Sequence, residues 1–133
     1  MWQMAGFGPM LGQLGHFKNY APEPLPYAID RYSNEASRLY RVLDKRLGEV
    51  EYLAGDYGVA DMAVFPWSRG WERHGQKMDE IPNFKRWFEA IDARPAVKKG
   101  LELMAQEREM AAQRGMTDQA RDVLFGKTQF QKR

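Results

Sequence analysis

The sequence predicts an all-α protein, folded as a bundle of amphipathic helices. Apolar residues recur at spacings of three and four along most of the 133 residues, and no useful length alternates with period two. The composition, 44% hydrophobic and 29% charged, suits one globular domain with a real core. Glycines and prolines stand between the periodic stretches, where they typically begin or end helices.

The first helix is expected over residues 2 to about 14, where Trp2, Met4, Phe7 and Leu11 recur at helical spacing. Several glycines and Pro9 weaken this helix, and an internal proline usually kinks the axis. Because the helical spacing starts with the first residues, we expect a chain that begins inside a helix, either deliberately shortened or encoded by a gene fragment. Residues 16–26, with three prolines, predict a stiff connector.

The second helix is predicted from about Tyr27 to Leu47. One apolar stripe runs along it: Ile29, Tyr32, Ala36, Leu39, Tyr40, Leu43 and Leu47. Gly48 follows the last stripe residue, and glycine commonly occupies the position after a helix C-terminus, so we expect Gly48 to end this helix.

The third helix starts within "EYLAGDYGVADMAVFPW", residues 51–67. Gly58 is the expected N-cap, and Asp61 can accept a hydrogen bond from its backbone N–H as half of a capping box. Tyr57 and Met62 stand at the two positions of a hydrophobic staple. The helix is expected to reach Trp71, with the small residues of 60–64 at the centre of the core.

Two prolines open the later helices. Pro82 begins the fourth, whose expected buried side is Phe84, Trp87, Phe88 and Ile91. Pro95 begins a further helix through Met104. Residues 106–115 should continue as a polar helix, and residues 116–133 as a tail with an apolar cluster at 123–125. We expect a helical domain over residues 1–110 and a C-terminal extension over 111–133.

Charge and composition exclude several functions. A net charge of +2 is far from a nucleic-acid footprint, and Asp118 and Asp122 offset the basic tail residues Lys127, Lys132 and Arg133. No cysteine is present, which excludes disulfides, a thiolate nucleophile and cysteine-ligated metal within these residues and fits a cytoplasmic protein. No apolar run approaches the roughly 20 residues of a membrane span, and no secretory signal is recognisable.

Motifs for phosphate or metal chemistry are weak. The glycines of "GFGPMLG", residues 6–12, are spaced wrongly for a dinucleotide loop and are better explained by close helix packing or bending. His16 and His74 are the only histidines and belong to no ligand motif, so no metal site is expected. Asp61 is either a general base or a structural cap, and the flanking staple residues favour the cap.

The remaining candidates are an arginine and a group of aromatic residues. Arg31, beside the stripe of the second helix, either binds a ligand carboxylate or is an ordinary solvated arginine. Six aromatic residues either wall an apolar cleft or belong to the core: Trp2, Phe7, Phe17, Tyr20, Trp67 and Trp71.

"YLAGDYGVADMAVFPW" resembles the start of the sixth helix of glutathione transferases, and "IPNFKRWFEAIDARPAV" resembles the segment that follows it. "MWQMAGFGPMLGQ" and "PYAIDRYSNEASRLYRVLDKRL" resemble the bacterial Nu class, relatives of the yeast nitrogen-regulating prion. The likeness covers residues 1 to about 105. It implies the C-terminal helical domain, which walls the electrophile site and supplies half of the dimer interface. The thioredoxin-like domain that activates glutathione lies outside these residues, so no catalytic residue is assigned.

The resemblance also implies roles for individual residues. Arg31 matches an arginine that reaches the glutathione of the neighbouring subunit. Phe7, Met10, Phe17 and Tyr20 match the wall of the electrophile pocket. Asp61 and Gly58 keep the structural capping role, with glycine replacing the usual serine or threonine.

Two functions are therefore open. The chain is the C-terminal domain of an enzyme that conjugates glutathione or reduces disulfides with glutathione as co-substrate, together with a thioredoxin-like domain or protein. The alternative is a stand-alone helical module for protein association or apolar ligand binding. Either way, exposed apolar surface predicts a homo-oligomer.

Overall fold

The structure is a computed structural model that describes residues 1–103, 105–126 and 128. It is helical, as predicted, and among these residues extended pairing is limited to two isolated bridges near residue 54. A π-helical segment, Gln3–Phe7, and a 3₁₀ turn, Met78–Glu80, accompany the α-helices. These are α1 Gly8–Asn19, α2 Pro26–Glu49, α3 Val59–Ser68, α4 Pro82–Asp92, α5 Pro95–Glu102, α6 Ala105–Arg114 and α7 Asp118–Phe125.

The chain forms two compact units, Met1–Arg94 and Pro95–Arg133. In the first unit α2 packs against both α1 and α4, so the predicted stripe of α2 supplies the middle of the core. The largest fully buried apolar side chains are Trp87, Tyr40, Phe7, Phe84, Leu11, Leu14, Leu39, Leu43, Ile91 and Val64. The predicted domain boundary near residue 110 stays a prediction.

The first helix runs further than its glycines suggested. It continues from the π-helical segment to Asn19 rather than ending near residue 14, because Leu11 and Leu14 anchor it in the core. Pro9 has no N–H to donate to the preceding turn, which fits the wider π-helical geometry before it. A Cβ on Gly8 would lie 3.1 Å from Cε2 of Trp67, so this glycine does allow close packing of α1 on α3.

The prediction that Gly48 ends α2 is wrong. Gly48 lies inside the helix, which extends to Glu49, and Val50 is the C-cap. The physical reason for glycine here is the approach of α4, because a Cβ on Gly48 would lie 3.1 Å from Nδ2 of Asn83. Spacing alone does not separate a glycine needed for conformation from one needed for space.

Polar side chains of α2 and α4 bond to the backbone at a terminus of the other helix. Asp44 Oδ1 accepts from the backbone N–H of Phe84 at 2.9 Å and so caps α4, whose own N-cap residue Ile81 offers no side-chain acceptor. In return, Arg86 Nη2 donates to the carbonyl oxygens of Leu47 at 2.9 Å and Val50 at 3.3 Å, at the end of α2. Each helix therefore satisfies a terminus of the other.

The third helix ends at Ser68, earlier than expected, and Trp71 lies in the turn that follows. Of the small residues placed at the centre of the core, Val64 is buried, Ala60 is half-buried and Ala63 is exposed. The start at Pro82 is confirmed, as is burial of Phe84, Trp87 and Ile91 on that helix.

In the second unit Pro95 opens α5 as predicted, and α6 is the predicted polar helix. Residues 116–125 were expected as part of a tail, but Thr117 caps a further helix, α7, by accepting from the N–H of Ala120 at 3.1 Å. Met104, Lys127, Lys132 and Arg133 lie outside the described residues. No helix in the described part of the chain is long and apolar enough to cross a membrane.

Candidate functional site

The carboxylate of Asp61 is completely buried and fully hydrogen-bonded. Oδ2 accepts from the backbone N–H of Gly58 at 3.0 Å, which confirms the predicted half of the capping box. Oδ1 accepts from the backbone N–H of Leu53 at 3.0 Å and from the indole N–H of Trp87 at 2.7 Å. Three donors and no exposure to a substrate identify a structural carboxylate rather than a general base.

The aromatic residue before this cap is also held by other contacts. The ring of Tyr57 lies edge-on to Tyr52, and the guanidinium of Arg94 stands 3.8 Å from its centroid. Met62, its predicted staple partner, is 54% exposed. Tyr57 thus fixes the entry to α3 through Tyr52 and Arg94, which the local spacing did not indicate.

Arg31 is exposed on the first turns of α2, where the notable feature is the pairing of its neighbours. Glu35, one turn on, receives both bonds of a bidentate pair with Arg38, at 2.8 and 2.7 Å. These hydrogen bonds from Arg38 lower the pKa of Glu35, and the charge of Arg31 adds to the effect. With Glu35 occupied, the guanidinium of Arg31 forms no ion pair within the unit Met1–Arg94.

The four residues predicted to wall a pocket lie in different environments. Phe7 has no exposed surface, because Trp2 stacks on one side and Tyr40 meets its edge. In this structure Phe7 is a core residue, and its role in a pocket stays a prediction. Phe17 stacks on Tyr32, with ring centroids 5.4 Å apart, and is half-buried.

The remaining two predicted wall residues are accessible. Met10 is half-buried on α1, and Tyr20, after the end of that helix, is 39% exposed. Met10, Phe17 and Tyr20 therefore follow one helix towards its C-terminus with surface still available, and their role in a pocket stays a prediction.

An apolar groove that the sequence did not indicate lies before the N-terminal end of α1, away from Phe17 and Tyr20. It encloses about 600 Å³ between the first four residues, α2 and the start of α3. Its residues are Met1, Trp2, Gln3, Met4, Val42, Leu43, Arg46, Leu53, Val59, Ala60, Ala63 and Val64. Met4 is 73% and Val59 80% exposed. One feature of the sequence could have indicated the groove. The third helix carries small and apolar residues on both faces, whereas a helix buried on one side needs them on one face only.

The described residues contain no group of three or more histidine, cysteine or acidic side chains able to hold a metal ion. His74 instead belongs to a hydrogen-bonded cluster, with Nδ1 2.9 Å from the hydroxyl of Tyr40. Burial lowers the pKa of His74 to about 4, helped by the nearby charges of Arg73 and Lys18. The imidazole is therefore neutral at physiological pH.

Comparison with known proteins places this geometry in a family. The sequence model of the glutathione S-transferase C-terminal domain matches residues 20–95. The chain is 46% identical over 101 residues to the disulfide-bond oxidoreductase YfcG of Escherichia coli, covering 75% of this chain and 47% of that protein. The chain thus spans about half the length of this relative.

Two solved structures agree in fold and sequence. A glutathione transferase from Burkholderia graminis, with two glutathione molecules bound per subunit, is 40% identical, with a TM-score of 0.70 over 81% of this chain and 48% of that one. The nitrogen regulation fragment of the yeast prion protein Ure2p is 30% identical, with a TM-score of 0.70 over 75% of this chain and 49% of that one. The helical bundle, the buried cap of α3 and the family match agree: this chain belongs to the glutathione S-transferase C-terminal domain family.

Proposed function

We propose that this chain is the helical half of a glutathione-dependent enzyme that conjugates electrophiles or reduces disulfides in the cytoplasm. A thioredoxin-like domain or protein supplies the catalytic group, and glutathione is the co-substrate. The observation that carries the proposal is the match to about half of a disulfide-bond oxidoreductase and half of a transferase solved with two glutathione molecules per subunit.

In this proposal Arg31 binds a carboxylate of glutathione. A guanidinium forms strong, often bidentate hydrogen bonds with carboxylates, and one that is already paired must first give up its partner. Arg38 is a poor candidate for this role, because its guanidinium already bonds to both carboxylate oxygens of Glu35. Arg31 is exposed and forms no ion pair within its unit, so a ligand carboxylate displaces no bonded partner there.

Calorimetric titration with glutathione and with glutathione disulfide tests this role. The wild-type chain is compared with Arg31→Ala and with Arg41→Ala, a matched control on the same helix, also exposed and also without an ion pair in its unit. A charge-assisted hydrogen bond contributes about 1.5–3 kcal/mol, so we expect Arg31→Ala to weaken binding roughly tenfold or more and Arg41→Ala to leave it unchanged.

Two outcomes contradict the assignment. Equal weakening by both substitutions means that general positive charge, not Arg31, attracts the ligand. No heat with either ligand at millimolar concentration means that the helical half does not bind glutathione by itself, and the proposed contribution of Arg31 then fails for this chain.

The apolar groove is the proposed docking surface for the thioredoxin-like domain or protein. Support comes from the length of the relatives, about half of which this chain does not match, and from the exposure of Met4 and Val59. A patch of this kind also favours self-association, so a homo-oligomer is the expected state of the chain alone. Light scattering after size exclusion tests this, and Val59→Glu should shift the distribution to monomer.

The groove also favours the second candidate, a helical module that associates with another protein or holds an apolar ligand. The two candidates separate by experiment. A module associates through the groove, but Arg31 does not affect its binding of glutathione or glutathione disulfide. The helical half of an enzyme associates through the groove and also binds glutathione in a way that depends on Arg31.

A further inference from the structure

A second cleft, independent of the glutathione proposal, lies at the C-terminal end of α3. It encloses about 350 Å³ and is lined by Pro66, Trp67, Arg69, Gly70, Arg73 and His74. We call it the basic cleft. No acidic residue lines it, and neither Arg69 nor Arg73 has an ion pair within the unit Met1–Arg94.

The walls of the basic cleft are held in place from outside. Lys18 donates to the backbone carbonyl of Arg73 at 3.0 Å and ties the turn to the end of α1. Gln76 donates to the carbonyl of His74 at 3.0 Å and to the hydroxyl of Ser37 on α2 at 3.1 Å. The turn that carries the cleft is therefore fastened to two helices, which limits the entropy lost when a ligand binds.

The electrostatic field in the basic cleft is positive. Burial is the main cause that lowers the pKa of His74, and the positive charges of Arg73 and Lys18 add to it, so both cations lie close enough to act on the ring. The hydroxyl of Tyr40 donates to the carbonyl of Ser68 at 3.3 Å and lies 2.9 Å from Nδ1 of His74. The imidazole is therefore held in place by this buried hydroxyl.

One wall of the basic cleft is aromatic. Trp67 is 43% exposed, although part of its ring is held against α1, where a Cβ on Gly12 would lie 3.8 Å from Cζ3. An exposed indole that is fixed on one side presents a flat apolar surface at little entropic cost. A bare phosphate or sulfate would leave that surface unused.

We propose that the basic cleft binds a small aromatic carboxylate, with the ring of the ligand against Trp67 and its carboxylate held by Arg69 and Arg73. A guanidinium pair and an indole match the charge, the hydrogen-bonding oxygens and the flat body of such a ligand. The site takes a non-peptide acid, and its occupancy requires neither Arg31 nor the apolar groove.

The test uses naphthalene-2-carboxylate, followed by calorimetry and by quenching of tryptophan fluorescence. The neutral naphthalene-2-carboxamide keeps the ring and removes the charge, and inorganic phosphate keeps an anion and removes the ring. Arg69→Gln and Arg73→Gln should each weaken carboxylate binding about tenfold, the change expected for one charge-assisted hydrogen bond. Arg41→Gln, an exposed arginine of α2, is the matched control and should change nothing.

Several results overturn the proposal. Equal affinity for the carboxamide means apolar binding, and affinity that survives both substitutions places the ligand elsewhere. Phosphate that competes at the same concentration means a plain oxyanion site. Absence of binding at millimolar carboxylate excludes the site altogether. Trp67→Phe checks the wall, since it should abolish most of the quenching while circular dichroism confirms that the helices remain.

Discussion

Replacement of Asp61 by alanine tests the physical account of α3 most directly. The substitution removes the acceptor for three donors: the indole N–H of Trp87 and the backbone N–H groups of Leu53 and Gly58. Trp87 is completely buried, so solvent cannot reach its indole N–H to replace the lost bond, whereas the two backbone groups are half-buried. An unsatisfied buried donor costs about 1–3 kcal/mol, so we expect a loss of about 4 kcal/mol in total, half of it from Trp87.

A loss of that size is a large part of the roughly 5–15 kcal/mol that stabilises a domain. Urea unfolding followed by far-ultraviolet circular dichroism measures it. Asp61→Asn keeps one acceptor but turns an amide N–H₂ towards a donor, and should cost about 2 kcal/mol. Asp56→Ala, an exposed carboxylate in the loop before the helix, is the control and should lie within about 0.5 kcal/mol of the wild type.

A double-mutant cycle with Trp87→Phe decides whether the carboxylate and the indole interact. If they do, the double variant with Asp61→Ala should lose at least about 1 kcal/mol less than the two single losses added together. Strict additivity, or a loss below about 1 kcal/mol for Asp61→Ala alone, would refute the reasoning, because the buried carboxylate would then contribute no more than a surface one.

Three further perturbations follow from the fold. Gly8→Ala should destabilise by about 1–3 kcal/mol, because its Cβ would lie 3.1 Å from Trp67, whereas Gly15→Ala, with open space, should stabilise by about 0.5–1 kcal/mol; urea unfolding of both reports the difference. Asp44→Ala removes the cap of α4 and should cost about 1 kcal/mol by the same assay, with Asn retaining most of it. The pKa of His74 is lowered in the folded state to about 4. Its contribution to the free energy of unfolding is therefore complete above pH 6.5 and is lost as the pH falls from 6.5 towards 4. Because His74 is partly exposed, we expect a loss of only about 1–2 kcal/mol. His74→Gln should remove this pH dependence of the free energy of unfolding, measured between pH 7.5 and 4.5.

Much of the fold was predictable because helix signals are local. The stripe of α2, the start of α4 at Pro82 and the capping bond between Gly58 and Asp61 all follow from spacings of three or four residues. The other two bonds of Asp61 were not predictable from helical spacing, since Leu53 lies eight residues away in sequence and Trp87 lies 26 residues away. A local pattern identifies the acceptor, but only the packed helices identify all its donors.

The errors have the same origin. Gly48 was assigned a conformational role because it follows the stripe, whereas its reason for being glycine is the approach of Asn83 from another helix. Spacing also leaves open whether Phe7 is a core residue or a pocket wall, and its contacts with Trp2 and Tyr40 bury it in this structure. The candidate sites were harder to predict than the helices. The charge of the basic cleft depends on which arginines form ion pairs, and the sequence alone does not give that pairing.

The pairing of cations also yields a prediction for glutathione binding, which rests on the proposed role of Arg31. Arg38 holds Glu35 by two hydrogen bonds, and Arg31 stands one turn before Glu35 on the same helix. Removing Arg38 should therefore free Glu35 to pair with Arg31 and to compete with the ligand. An exposed pair of this kind contributes about 0.3–0.5 kcal/mol, so Arg38→Ala should weaken binding about twofold although it touches no ligand.

The double variant Glu35→Gln with Arg38→Ala distinguishes this competition from a loss of positive charge. It removes the competitor together with the arginine, so calorimetry with glutathione disulfide should return to the wild-type affinity. If the double variant binds as weakly as Arg38→Ala, then the charge of Arg38 itself attracts the ligand. If Arg38→Ala binds as weakly as Arg31→Ala, both arginines contact it, and the two guanidinium groups form one site rather than a free group beside an occupied one.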